Sequence, residues 1–131
     1  MNHLHESVFG EAKDIFTKLE TKDVFVINLA FVDYELVGYK VGYKLNQDTF
    51  YSWLGGVNPS YRGAGIASAL MEAQHEYLWK KGYKVVQTKT MNRWRNMLIL
   101  NIKSGFDIVH TYIDKQNEVK IVLEKKLVGY E

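Results

Sequence analysis

The sequence predicts an α/β (α+β) fold, a mixed sheet with helices packed on it, and three observations lead there. Three runs of strand character, 23–32, 36–44 and 49–57, follow one another with only short polar turns between them. The third run enters a turn of small residues, then an amphipathic helix and a fourth strand, which is the order of a parallel crossover. A second helix and a closing hairpin complete the chain.

Residues 7–20 place Val8, Ala12, Ile15 and Leu19 three and four apart, with Phe9 and Phe16 alongside, so the spacing predicts an amphipathic helix. Run 23–32 is rich in Val, Ile and Phe and ends at the polar turn Asp33-Tyr34-Glu35. Run 36–44 alternates, with Val37, Tyr39, Val41 and Tyr43 on one face and Gly38, Lys40, Gly42 and Lys44 on the other. These two runs form an antiparallel hairpin. After the turn Asn46-Gln47-Asp48, run 49–57 carries Phe50, Tyr51 and Trp53 and reaches Gly55-Gly56. Paired glycines in a strand mark a bulge or the close approach of another backbone or a ligand.

A helix over 64–81 follows, with Ile66, Ala69, Leu70, Ala73 and Tyr77 as its expected apolar stripe and Gly82 as its stop. His75 is expected on the solvated flank. Run 83–90 is the fourth strand, parallel to 49–57. Past Met91-Asn92, a helix over 93–104 sets Trp94, Met97, Leu98 and Ile102 on one face, and Asn101 falls on that same face. A polar amide there needs a partner, either neighbouring backbone or a ligand. Runs 106–114 and 118–127 make the last hairpin around Asp114-Lys115-Gln116-Asn117, with His110 a structural residue of its first strand.

The chain has 131 residues, which suits a single domain over 1–131, and 47% of them are hydrophobic with one proline, a composition that folds. The absence of cysteine excludes a disulfide framework, a thiolate nucleophile and a cysteine zinc site, and no metal is expected. A formal charge of +2 with dispersed lysines gives no ground for nucleic-acid binding. Residues 1–6 lack a basic patch leading into an apolar run, and no apolar segment has membrane-spanning length. A soluble cytoplasmic protein with no membrane contact is therefore expected.

The chemistry is expected at Val57-Asn58-Pro59-Ser60-Tyr61-Arg62-Gly63-Ala64-Gly65-Ile66-Ala67. Gly63 and Gly65 offer no side chain to block a ligand. Backbone N–H groups from Arg62 to Ala67 should stand at a helix N-terminus without intrahelical partners, which with the positive dipole end makes an anion site. Each charge-assisted hydrogen bond to such an anion is worth about 1.5–3 kcal/mol. Arg62 adds charge at the rim. Ser68 has no His/Asp pattern near it and reads as a helix residue.

The order Arg62-x-x-Gly65-x-Ala67, after Val57-x-Pro59, resembles the acyl-CoA signature of the GNAT superfamily of N-acetyltransferases, (Gln/Arg)-x-x-Gly-x-(Gly/Ala). Met97-x-x-x-Asn101-x-x-x-Gly105-Phe106 is similar to a second family motif, so the resemblance covers about residues 24–127. It implies a GNAT-like fold with a shortened N-terminal region, and acetyl-CoA as co-substrate in a splay between strands 49–57 and 83–90. The implied cofactor-binding residues are Val57, Arg62, Gly63, Ala64, Gly65, Ile66, Ala67, Asn92 and Asn101. The implied reaction is direct attack of a primary amine, on a small molecule or peptide, upon the thioester, with a backbone N–H near Val57 for the oxyanion. A homodimer is the candidate assembly.

The chain departs from the family pattern in three places. Residues 1–23 hold one clear helix where relatives have a strand and two helices. Asn101 stands where many members carry the tyrosine that protonates the leaving thiolate, and Trp94 stands where an asparagine is common, with Asn92 and Asn96 nearby. No acid or base is assigned: Tyr51 and Asn101 are the candidates, and water could relay the acceptor's proton to Tyr51, Glu35 or solvent. Two other readings stay open. One is a silent acyl-CoA-binding sensor or interaction domain. The other, a dinucleotide-binding oxidoreductase, takes Gly63-Ala64-Gly65-Ile66-Ala67-Ser68 as an approximate Gly-x-Gly-x-x-Gly, against the missing third glycine and the absence of an acidic residue after Lys89-Thr90.

Overall fold

A computed structural model of the protein describes residues 17–128. The expected helix over 7–20 and the shortened N-terminal region lie mostly outside the described residues. Residues 17–19 are helical, and Leu19 is buried. The elements that follow are β1 (Phe25–Val32), β2 (Glu35–Lys44), β3 (Thr49–Val57), a 3-10 turn (Pro59–Tyr61), α1 (Ile66–Lys80), β4 (Val85–Thr90), α2 (Arg95–Lys103), β5 (Asp107–Ile113) and β6 (Val119–Lys126). The strands form a six-stranded sheet in the order β1-β2-β3-β4-β6-β5.

The chain forms two compact units. Among the described residues, one comprises 17–44 and 53–74, and the other 45–52 and 75–128. In the first, β1 and β2 pair antiparallel from Phe25↔Tyr43 to Val32↔Glu35, with a register shift between Ala30 and Phe31. Asp33 and Tyr34 both take positive φ, 49° and 68°, the twist that lets a two-residue turn join right-twisted strands. Val37, Val41 and Tyr43 fill the core of this unit with Leu19, Leu70 and Met71. Tyr43 of β2 and Trp53 of β3 meet edge to face at 6.0 Å, capped by the Lys22 and Lys18 ammonium groups.

Gly55 and Gly56 are close-approach glycines, and the neighbour is β2. A Cβ on Gly56 would lie 3.0 Å from Tyr39 Cε1, and one on Gly55 would lie 3.3 Å from the Tyr39 carbonyl. Gly38 is as tightly enclosed, with Gly56 O at 3.1 Å and Ile66 Cγ2 and Leu70 Cδ1 each at 3.2 Å from such an atom. Glycine here lets the first turns of α1 settle against the sheet.

In the second unit, β3 and β4 run parallel, as expected, through Thr49↔Val85, Phe50↔Val86 and Tyr51↔Gln87. Thr88 Oγ1 then donates to the Ser52 carbonyl at 2.9 Å. β6 pairs antiparallel with both β4 and β5. Phe50, Leu78, Val86, Phe106, Leu123 and Leu127 make the core, with Phe50 edge to face on Tyr83 at 5.2 Å. The Asp114 carboxylate closes the last hairpin by accepting from the Gln116 and Glu118 amides, both at 2.9 Å.

The helix faces differ from expectation. Along α1 the buried residues are Leu70, Met71, Gln74, His75 and Leu78, while Ala69, Ala73 and Tyr77 are exposed. The buried stripe is turned by roughly 100°, one residue's rotation. His75 is thus not solvated: it is 0% exposed, its Nδ1 is 3.2 Å from Lys125 Nζ, and its ring lies 5.5 Å from that of Phe106. In α2 only Asn101 is buried, and Trp94, Met97 and Ile102, expected to face the core, are exposed.

Candidate functional site

The turn between β3 and α1 is assembled from the strand outward, within the first unit. Val57 ends β3, half-buried. Next, the Asn58 amide donates to the Val37 carbonyl at 2.7 Å, which ties the chain to β2. Asn58 is buried and caps the 3-10 turn, its Oδ1 accepting from the Ser60 amide at 2.9 Å, with Pro59 as the first residue of that turn. Arg62 leaves the turn extended and exposed.

Gly63 and Gly65 then adopt φ of 85° and 80°, and an atom added at either Cβ would have nothing within 4 Å. The glycines here serve the left-handed backbone and the open approach, not packing. Among the described residues, the amides of Gly63, Gly65, Ile66, Ala67 and Ser68 have no hydrogen-bond partner. The first helical bond to close is Ala69 N–H to the Gly65 carbonyl at 3.0 Å. Arg62 and Ala64 depart from expectation. Their amides donate, at 3.3 Å and 3.4 Å, to the carbonyls of Pro59 and Tyr61, because the 3-10 turn folds those oxygens under them. Ser68 replaces them as a donor.

The charge around these amides is one-sided. The first turn of α1 contains no acidic residue, and Arg62 has no ion-pair partner among the described residues. An anion met here finds partial positive charge from the helix end, a guanidinium at the rim and no competing carboxylate in that turn.

The remaining candidates lie in the second unit. Tyr51 is half-buried on β3, and the Lys89 ammonium stands 5.8 Å from its ring and 5.3 Å from that of Tyr112. Asn92 is exposed just past β4, beside buried Thr90, whose hydroxyl has no partner among the described residues. Asn101 is buried near the end of α2, and its carbonyl accepts from the Ser104 and Phe106 amides at 3.2 Å and 3.0 Å. Glu35 opens β2, half-buried, in the first unit.

Burial sets the perturbed ionisations. It lowers the Lys40 ammonium to about 8 and raises the Tyr43 phenol above its usual range. Tyr83 is raised by burial first and by the neighbouring Tyr77 second. Among the described residues no group of three or more His, Cys, Asp or Glu side chains could hold a metal ion, and no helix is long and apolar enough to cross a membrane. The antiparallel pair β1–β2 ahead of the loop does not fit a dinucleotide-binding domain, whose sheet is mostly parallel.

Asn58 lies inside the expected stretch, but motif reading missed its capping role. Asn-Pro ahead of a small-residue turn is a turn-initiation signal, and it could have been found. The unpartnered Ser68 amide follows from a helix that starts two residues later than its pattern suggested.

Among solved structures, a GNAT-family protein from Desulfovibrio desulfuricans superposes with a TM-score of 0.79 at 14% identity, covering 98% of this chain and 84% of its own. A GNAT-family acetyltransferase from Elizabethkingia anophelis with acetyl-CoA bound gives 0.74 at 21%, covering 88% and 83%. The ribosomal-protein-S18-alanine N-acetyltransferase of Escherichia coli gives 0.74 at 15%, covering 86% and 76%. At these identities the likeness is one of fold. No curated protein matches significantly. The model of the acetyltransferase (GNAT) family, however, matches residues 3–96, well over half of the sequence and including the whole β3–α1 turn. The chain belongs to the GNAT family of acetyltransferases.

Proposed function

We propose that the protein moves an acetyl group from acetyl-CoA to a primary amine by direct attack, with the diphosphate of the donor held on the β3–α1 turn. The observation that carries this reading is the set of unpartnered amides of Gly63, Gly65, Ile66, Ala67 and Ser68 beside two glycines whose approach is open. Gly63, Gly65, Ile66, Ala67 and Ser68 would donate from the backbone. Arg62 would supply a cation at the rim, and Ala64, with no long side chain, would keep the turn clear. Val57 would offer a backbone donor to the oxyanion.

Acetyl-CoA supplies an activated thioester, and in the reaction the amine nitrogen forms a bond to the acyl carbon as the carbon–sulfur bond breaks. An alkyl amine with a reference pKa of about 10.4 must lose a proton to attack, and the departing thiolate must gain one. Tyr51 is the candidate for handling these protons, through water. Placement does most of the work, so a site without a strong acid still functions.

A steady-state assay of CoA release over polyamines, amino acids, aminoglycosides and lysine peptides tests the proposal, with acetyl-CoA binding followed by calorimetry in parallel. Turnover with at least one amine class is the expected result. Tight CoA binding with no turnover on any member would instead assign the chain to acyl-CoA sensing, the reading that Asn101 in place of the family tyrosine favours.

A further inference from the structure

We propose that the acceptor carries a carboxylate beside its amine, and that Lys89, held between the rings of Tyr51 and Tyr112, is the residue that selects it. This rests on the acetyl-transfer reading and names the class of its acceptor. The three side chains share one face of the sheet in the second unit. Tyr51 is opposite Gln87 in the parallel β3–β4 ladder, and Lys89 lies two residues beyond Gln87. On β6, buried Val122 is opposite Lys89, and Lys120, two residues away, is opposite Tyr112. The Lys89 ammonium stands 5.8 Å from the centre of the Tyr51 ring and 5.3 Å from that of Tyr112.

The rings hold the ammonium by their faces but are poor acceptors for its three N–H donors. Lys89 is exposed, and among the described residues it makes no ion pair and no hydrogen bond. The carboxylates nearest in the sheet are engaged or further off. Glu124 accepts from Gln87 Nε2 at 2.9 Å, Asp114 lies 3.7 Å from Lys120 Nζ, and Asp107 is opposite Glu124 on the outer strand. A carboxylate reaching Lys89 therefore meets a fixed cation with donors to spare, between rings that keep part of the water away. A polyamine would bring a second cation against it.

Position ties this cation to the reaction. The β3–β4 pairing ends at Tyr51↔Gln87, with Thr88 Oγ1 reaching the Ser52 carbonyl beyond it, so Lys89 is the first β4 side chain of its face past the last paired residues. Acetyl transfer brings the thioester in where these strands part. An acceptor anchored by its carboxylate at Lys89 would present its amine there.

Nuclear magnetic resonance titrations of the protein saturated with CoA, which has no acyl group to give, test this with matched pairs: phenylalanine and phenethylamine, lysine and cadaverine, arginine and agmatine. At least one amino acid should bind about tenfold or more tighter than its decarboxylated partner. Lys89→Met should bring the two to within about threefold of each other, Lys89→Glu should reverse the order, and Lys89→Arg should keep it. Equal binding within every pair overturns the proposal, as does a preference that Lys89→Met leaves unchanged or a failure of every amino acid to bind. CoA release from acetyl-CoA with the same pairs separates the two readings: selective binding without turnover leaves the carboxylate site standing and fails acetyl transfer alone.

Discussion

Asn58 fixes Ser60: the Ser60 amide donates to Asn58 Oδ1 at 2.9 Å while the Asn58 amide is held by Val37 at 2.7 Å. One side chain thereby sets the direction in which the chain leaves the sheet for the amides that start α1. Asn58→Ala should cost about 1 kcal/mol of stability, the usual worth of such a cap. It should also weaken acetyl-CoA binding several-fold. Asn58→Asp keeps the acceptor oxygen and should retain most of both. Urea denaturation and calorimetry on the three proteins check this.

Gly65→Val acts differently. An added Cβ meets no neighbour within 4 Å, so the expected folding cost is the strain of a β-branched residue at positive φ, roughly 1–3 kcal/mol. It would stand among the free amides, and acetyl-CoA affinity should fall by about a hundredfold or more while the circular dichroism of the fold persists. Unchanged affinity by calorimetry would rule out the turn as the diphosphate cradle.

Lys40 gives a pH signature. Its folded pKa of about 8 lies below the ordinary value of 10.5, so between the two the unfolded chain binds more protons and stability rises with pH. Below that window the burial cost is present in full. Lys40→Met should therefore stabilise the protein near neutral pH by about 1–3 kcal/mol, and the difference from wild type should shrink towards zero as pH approaches 10.5. Paired urea titrations across this range read the difference directly, with the other titrating groups cancelling.

Asn101 is the one buried residue of α2. If its amide serves the acyl donor, Asn101→Ala should raise the KM for acetyl-CoA about tenfold for a stability loss of about 1 kcal/mol. A loss of stability with unchanged kinetics would make its role one of packing.

The sequence was informative wherever one force dominated. Alternation placed β2, and β3 falls on the expected residues, because each strand buries one face and its turns carry their own polar punctuation. The glycine turn was also legible, since Gly63 and Gly65 carry no side chain to cover the backbone, and both adopt positive φ. α1 was misread because polar Gln74 and His75 occupy buried positions while small and aromatic Ala73 and Tyr77 face outward, so apolar spacing pointed about 100° away from the true face. Gly55-Gly56 was legible as a bulge or close-approach pair, but that Tyr39 is the neighbour, and that Ile66 and Leu70 enclose Gly38, only the folded chain reveals.

Amide chemical shifts in a 15N-labelled sample titrated with CoA test the central claim most directly. The resonances of Gly63, Gly65, Ile66, Ala67 and Ser68 should move downfield together and saturably as their free N–H groups meet phosphate oxygen. CoA binding that leaves these five resonances in place, while others in the protein move, would contradict the account.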